Sequence, residues 1–257
     1  MNYTIGAVDR ALALLEVLAE HPNARVSELA SLTGNTKSLV FRLIYTLEQR
    51  GYVVKDPATR TYTLGYQSIF LGAQAQRQVV LLQVAAPVMD DLASRCHENI
   101  NLLVREGRNS VCVALRESPL PLRLYAQVGR RGPLHVGGGP KVLLAFAPQE
   151  VQDEVLAGPL SVHTPKTITD PAQLAALIDT IRRTGINESH GDLDPDSFSF
   201  AAPVYVHDGT VLAALSIAGP ASRLTDELAN SYRWLVRDGA NRISQALGFQ
   251  PKLLAAV

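Results

Sequence analysis

Apolar residues recur at helical spacing at Val8, Ala11, Leu12, Leu15, Val17 and Leu18 before His21-Pro22-Asn23 stops the run, which predicts an amphipathic helix over residues 8–20. Ser27 can cap a short helix over 28–32, and Thr33-Gly34-Asn35 reads as a turn in which glycine tolerates a backbone conformation costly to other residues. A third helix begins near Thr36, carries Leu39, Val40, Leu43, Ile44 and Leu47 as its apolar stripe, and stops at Arg50-Gly51. Strand-like runs at 52–54 and 62–64 flank the exposed-turn composition of 55–60 and predict a hairpin. Residues 66–82 look helical, but Ile69, Phe70, Leu71, Val79, Val80 and Leu82 are more apolar surface than a lone connecting helix can hide. Such a helix calls for a partner, expected to be its copy in a second subunit.

Beyond Pro87 the pattern changes. A helix is predicted over 88–96, and strands over 101–105, 110–116 and 122–127 with turns between them. Helices at 141–147, 148–156 and 171–185 follow, then strands at 198–206 and 211–218 around Asp208-Gly209, and a last helix over 225–247. This succession is α+β: a mixed antiparallel sheet with helices packed on it, and no repeat or low-complexity segment.

Length and charge narrow the function. At 257 residues the chain suits one small and one larger domain. Its 24 Lys and Arg balance 24 Asp and Glu, so any nucleic-acid contact must be a local patch. Aromatics at 6% are too few for stacking on single-stranded bases, which leaves duplex DNA as the better fit. Cys96 and Cys112 allow one disulfide at most, supply no cysteine-rich zinc site, and suit a reducing interior. Residues 1–10 carry neither a long apolar region nor a basic lead, and no stretch approaches the roughly 20 apolar residues of a membrane span, so the expected location is the cytoplasm, with no membrane partner.

Helix, short helix, glycine-containing turn, helix and basic hairpin, in that order, match a winged helix-turn-helix. On the third helix Lys37, Ser38, Phe41 and Arg42 are expected on the polar face. Arg42 can donate two hydrogen bonds to guanine, Ser38 can reach a base edge or phosphate, Phe41 can pack on a thymine methyl, and Lys37 suits a phosphate. Arg25 and Ser27 at the second helix, with Lys55 and Arg60 on the hairpin, complete the expected DNA-binding set. A three-helix unit of this kind can also serve as a protein-interaction module, and that alternative stays open on pattern alone.

Taken together, these segments resemble the IclR family of bacterial transcription regulators. The resemblance rests on Val8-Asp9-Arg10-Ala11-Leu12, Ser27-Glu28-Leu29-Ala30, Thr33-Gly34, Lys37-Ser38, Arg42-Leu43, Gly51-Tyr52 and Tyr62-Thr63-Leu64-Gly65. It continues through Val128-Gly129, Pro133-Leu134-His135, Gly137-Gly138-Gly139 with Lys141, Thr164 to Thr169, Ala201-Ala202-Pro203-Val204 and Ala213-Ala214-Leu215-Ser216, in family order over nearly the whole chain. It implies a DNA-binding domain over 1–65, a linker helix over 66–82, and a GAF-like effector-binding and oligomerisation domain over 83–257. It further implies a homodimer, or a dimer of dimers, on a double-stranded operator. The implied effector is a small organic or aromatic acid, with no cofactor, metal or catalytic residue. Carried onto this chain, the family's effector positions are Gly138, Gly139, Asp192, Ser199 and Ser216. Two departures stand out near them: Pro140 replaces the usual glycine and Ala218 a frequent serine. Leu39 and Phe41 also stand where the family commonly has Thr and His.

Physically, the three glycines expose backbone N–H groups beside a helix start, an arrangement that favours an anion. Leu134, Phe198 and Phe200 offer apolar enclosure, although strand alternation turns Ser199 away from the two phenylalanines. Cys96-His97-Glu98 and the acidic run 188–196 show no nucleophile elbow, zinc spacing or calcium-loop pattern, so 188–196 is expected to be a solvated loop. An enzyme acting on a small acid in the C-terminal domain is the remaining alternative.

Overall fold

The computed structural model describes residues 3–250. The chain divides into two compact units that meet between Val79 and Val80. The first comprises helices α1 (Gly6–Glu20), α2 (Val26–Thr33) and α3 (Lys37–Gln49), the hairpin β1 (Val53–Asp56) and β2 (Thr61–Leu64), and α4 (Tyr66–Gln78). Leu14, Leu18, Leu29, Val40, Ile44 and Val53 close its core, which is the face that the helical spacing marks out. Gly34 ends α2 at φ 64°, a left-handed turn that glycine adopts without steric cost. Ser27 lies inside α2 and does not cap it. The helix starts two residues earlier than expected because Glu28 reaches back to accept the Arg25 N–H at 2.7 Å.

The second unit contains α5 (Val80–Cys96), β3 (Asn99–Glu106), β4 (Asn109–Arg116), β5 (Arg131–Pro133), α6 (Gly138–Ala145), α7 (Gln149–Ala157) and α8 (Pro171–Thr184). Then come β6 (Asn187–His190), β7 (Ser197–Tyr205), β8 (Val211–Pro220) and α9 (Asp226–Ala246). Six strands form one sheet in the order β5-β4-β3-β8-β7-β6, each neighbouring pair antiparallel. The sheet is the middle of three layers. Ile100, Leu102, Phe198, Phe200, Leu215 and Ile217 face α5 and α9, whereas Ala201 and Ala214 face α6 and α8. The expected alternation along β7 therefore holds, with the phenylalanines in one core and Ser199 on the opposite side.

Four further expectations are corrected. Pro87 does not precede a helix but lies within α5, where the buried series Leu81, Ala85, Val88, Met89 and Leu92 continues across it. Burial of that stripe outweighs the hydrogen bond that proline removes, and the helical path breaks instead at Val79, which is extended at φ −88°, ψ 104°. Residues 122–127 are not a strand: the Leu122 carbonyl accepts from Arg223 Nη1 at 2.7 Å and the Leu124 carbonyl from Asn99 Nδ2 at 2.9 Å, so side chains take the bonds that a ladder would use. The short β5 pairs with β4 in their place. The run 188–196 is not a solvated loop, since its first part is the edge strand β6 and Ser189 and Asp192 are buried. The glycines, finally, belong to the helix start: Gly138 and Gly139 form the first turn of α6.

Candidate functional site

In the N-terminal unit, α3 is capped by Thr36, whose hydroxyl accepts the Leu39 N–H at 3.3 Å. Val40, Ile44 and Leu47 fix its inner face, which leaves Lys37, Ser38, Phe41, Arg42 and Tyr45 on the outside. Four of these were expected from the sequence. Tyr45 was not, although its position one turn after Phe41 is the signal that places it on the same face. Across the hairpin, Asp56 caps the turn by accepting from Ala58 N–H at 2.8 Å and from the Thr59 hydroxyl at 2.8 Å. The Thr59 hydroxyl, with the backbone N–H groups, holds that carboxyl below its usual range. Lys55 extends over the Tyr62 ring at 5.9 Å, and Arg60 sits at φ 57°.

Residues 1–79 hold eight Lys and Arg against six Asp and Glu, a modest excess in a chain neutral overall. More telling is how the charges are used. Among the described residues Arg25, Lys37, Arg42, Lys55 and Arg60 enter no ion pair and stay exposed, whereas most ion pairs of the second unit tie its surface arginines to carboxylates. Cations left without counter-charges on one small unit suit phosphates.

In the C-terminal unit a cavity of about 210 Å³ opens between the sheet and the N-terminal end of α6. Gly137 takes φ 90° and donates its N–H to Asp192 Oδ2 at 3.0 Å, while the Gly138 N–H donates to Ser199 Oγ at 2.9 Å. Lys141 Nζ lies 2.5 Å from Asp192 Oδ2, the two side chains being 4% and 6% exposed, and the Ser189 hydroxyl donates to the other carboxylate oxygen. Burial pushes the Asp192 carboxyl up, but the charge of Lys141 and the hydrogen bonds from Lys141, Ser189 and Gly137 outweigh it and leave the group below its ordinary value. Asp192 is thus spent on holding the glycine turn.

The groups with unused capacity are different ones. Among the described residues the Gly139 N–H meets no acceptor, and the following Pro140 has no N–H at all. The hydroxyl of Ser216, a residue only 3% exposed that lines the cavity, meets no partner among the described residues. Ser199 accepts from Gly138 and keeps its own hydrogen for another acceptor. The side-chain amide of Asn101, directly opposite Ser216 in the β3–β8 register, is likewise without a partner among the described residues. A β-carbon on Gly139 would lie 2.6 Å from Leu103 Cδ1, so glycine is what lets the helix start approach the sheet this closely.

Five of the six expected effector residues, namely Gly138, Gly139, Asp192, Ser199 and Ser216, come together at this cavity. Leu134 does not: it is fully buried among Val142, Leu144 and Ile178. Sequence reasoning missed Asn101, Cys112 and Arg130. A lone polar residue in the apolar run 100–104 is the one hint that pointed to Asn101. Burial raises the Cys112 thiol to about 11.

Family comparison settles what this pairing of units is. The model described as "Bacterial transcriptional regulator IclR C-terminal" matches residues 73–245, and "IclR helix-turn-helix domain" matches residues 7–57. The chain belongs to the IclR family. It is a DNA-binding transcription regulator whose second unit matches the family's C-terminal domain. It is similar to the HTH-type transcriptional regulator KipR of Bacillus subtilis, at 32% identity over 94% of this chain and 97% of that one. Among solved structures it resembles an IclR transcriptional regulator from Alicyclobacillus acidocaldarius, with TM-score 0.90, 26% identity, and coverage of 96% and 100% of the two chains. It also resembles an IclR homologue from Microbacterium hydrocarbonoxydans in complex with 4-hydroxybenzoate, with TM-score 0.83, 26% identity, and coverage of 94% and 98%. Among the described residues no three His, Cys, Asp or Glu side chains gather as a metal site in this IclR chain, and no helix is long and apolar enough to cross a membrane.

Proposed function

We propose that this regulator senses a small carboxylic acid, organic or aromatic, in the cavity at the start of α6 and passes the signal to an operator held by α3 and the hairpin. Neutral donors converging on one wall carry the reading: the Gly139 N–H and the Ser199 and Ser216 hydroxyls. They sit at the positive end of α6, and the one buried cation nearby, Lys141, is already neutralised by Asp192. A carboxylate therefore gains hydrogen bonds and dipole attraction with no fixed counter-charge to displace. Gly138 and Asp192 shape the wall without donating to the ligand. The Microbacterium homologue bound to 4-hydroxybenzoate supports an aromatic acid as one member of this class.

Residues 1–65 carry operator binding in this scheme, with Lys37, Ser38, Phe41 and Arg42 toward the major groove and Arg25, Ser27, Lys55 and Arg60 toward the backbone. Residues 66–82 pair subunits, and 83–257 bind effector in the cytoplasm where the operator lies. Pairing is supported by α4, which buries none of its residues and exposes Tyr66, Ile69, Phe70 and Leu71. A homodimer, doubled on longer operators, covers that face. The ligand acts by binding more tightly to one dimer arrangement than to the other.

Titration calorimetry with 4-hydroxybenzoate and a panel of short aliphatic acids, each against its amide, tests the effector assignment. Binding of an acid with at least tenfold loss in its amide and in Ser216→Ala supports it; equal binding of acid and amide refutes it.

A further inference from the structure

On α3, Phe41 and Tyr45 are 56% and 57% exposed, an uncommon state for two aromatic rings on one helix face of a small folded unit. Four residues apart, they lie along the same side of α3 and, with Arg42 and Thr46, line a shallow concavity. Thr46 donates its hydroxyl hydrogen back to the Arg42 carbonyl at 3.0 Å, so it has no hydrogen to donate outward. The exposed patch is thus apolar and flanked by Lys37 and Arg42, neither of which meets a carboxylate. An apolar ridge bordered by unpaired cations is poorly matched to plain solvent. It matches a surface in which phosphates border exposed methyl groups, and the major groove shows such methyls at thymine C5.

Resting on the operator-binding role of α3, we infer that Phe41 and Tyr45 form a two-ring reader of thymine methyl groups, and that each half-site carries a pair of thymines set for it. The rise between the two side chains is about 6 Å at 1.5 Å per residue. Neighbouring base pairs are about 3.4 Å apart, so the two methyls lie about two base steps from each other. Arg42, between the rings in sequence and carrying five donors, reads a neighbouring purine edge by hydrogen bonds. Tyr45 acts through its ring and not through its hydroxyl. Burying one methyl against a ring is worth about fourfold in affinity.

The test uses the full-length protein and duplexes selected from a random pool. Each thymine of the selected site is replaced singly by deoxyuridine, which deletes the methyl and leaves every hydrogen-bonding group in place. The expected result is about fourfold weaker binding at two positions per half-site, about two base steps apart. Phe41→Ala abolishes the uracil effect at one of them and Tyr45→Ala at the other, while Tyr45→Phe leaves both intact. The uracil series on the unaltered protein stands even if a variant folds poorly. Sequence-selective binding with no uracil effect at any position overturns the two-ring reader and leaves operator binding intact. Effects that persist in both alanine variants do the same. A protein with no preferred sequence at low salt overturns both.

Discussion

Replacing Lys141 with methionine asks whether charge holds the glycine turn. Methionine keeps most of the lysine stem, so packing changes little. Asp192 is then a buried carboxylate, its side chain 6% exposed, with only the Ser189 hydroxyl and the Gly137 N–H upon it. Removing one member of a buried ion pair costs about 3–5 kcal/mol. That is a large part of the roughly 5–15 kcal/mol by which a domain is stable. At about 2–4 °C per kcal/mol for a unit of this size, Tm falls on the order of 10 °C. The only tryptophan, Trp234 on α9, lies in the same unit, so fluorescence-detected heat and urea unfolding of the full chain reads the loss where it occurs. Lys141→Met/Asp192→Leu removes both charges and recovers most of the stability, because the penalty belongs to the unpaired ion. A single variant that loses under about 1 kcal/mol, as an exposed pair would, refutes this reasoning, as does a double variant no better than the single.

The same carboxyl predicts an acid limit. Its folded pKa is below its unfolded one, so its contribution is complete above about pH 4 and is lost as pH falls through the lower folded value; urea midpoints between pH 5 and 2.5 should fall less steeply in Lys141→Met/Asp192→Leu than in the parent. Gly139→Ala forces Leu103 aside into the cavity, so calorimetry should show at least tenfold weaker effector binding while stability drops by no more than the roughly 1–3 kcal/mol of an overpacked site. Arg42→Ala should weaken operator binding by about 1–3 kcal/mol and relax the preferred sequence, whereas Lys37→Ala should leave the preference unchanged and lower the slope of log affinity against log salt by about 1, both read by fluorescence anisotropy.

Much of the N-terminal unit is legible in the sequence because each helix there carries its burial pattern locally. Val40, Ile44 and Leu47 mark the inner face of α3 by spacing alone, and the outer face follows as its complement. The same holds for β7, where period-two alternation separates Phe198 and Phe200 from Ser199 without reference to any other segment. Sequence order and turn chemistry also suffice for the helix-turn-helix, since Gly34 and Thr36 act on their immediate neighbours.

The effector cavity required the tertiary structure. Asp192 has the composition of a solvated loop around it, and it is buried because Lys141 and the Gly137 N–H, more than 50 positions earlier, meet it there. Pro87 looks like a helix boundary until α9 and the sheet cover the stripe that runs past it. Asn101 and Ser216 become neighbours only through the β3–β8 register, which no local pattern encodes. Periodicity reports which face of an element leaves water, a property of a few consecutive residues. Whether a polar group can afford burial depends on the partner that distant chain brings to it, and that is decided when the layers pack.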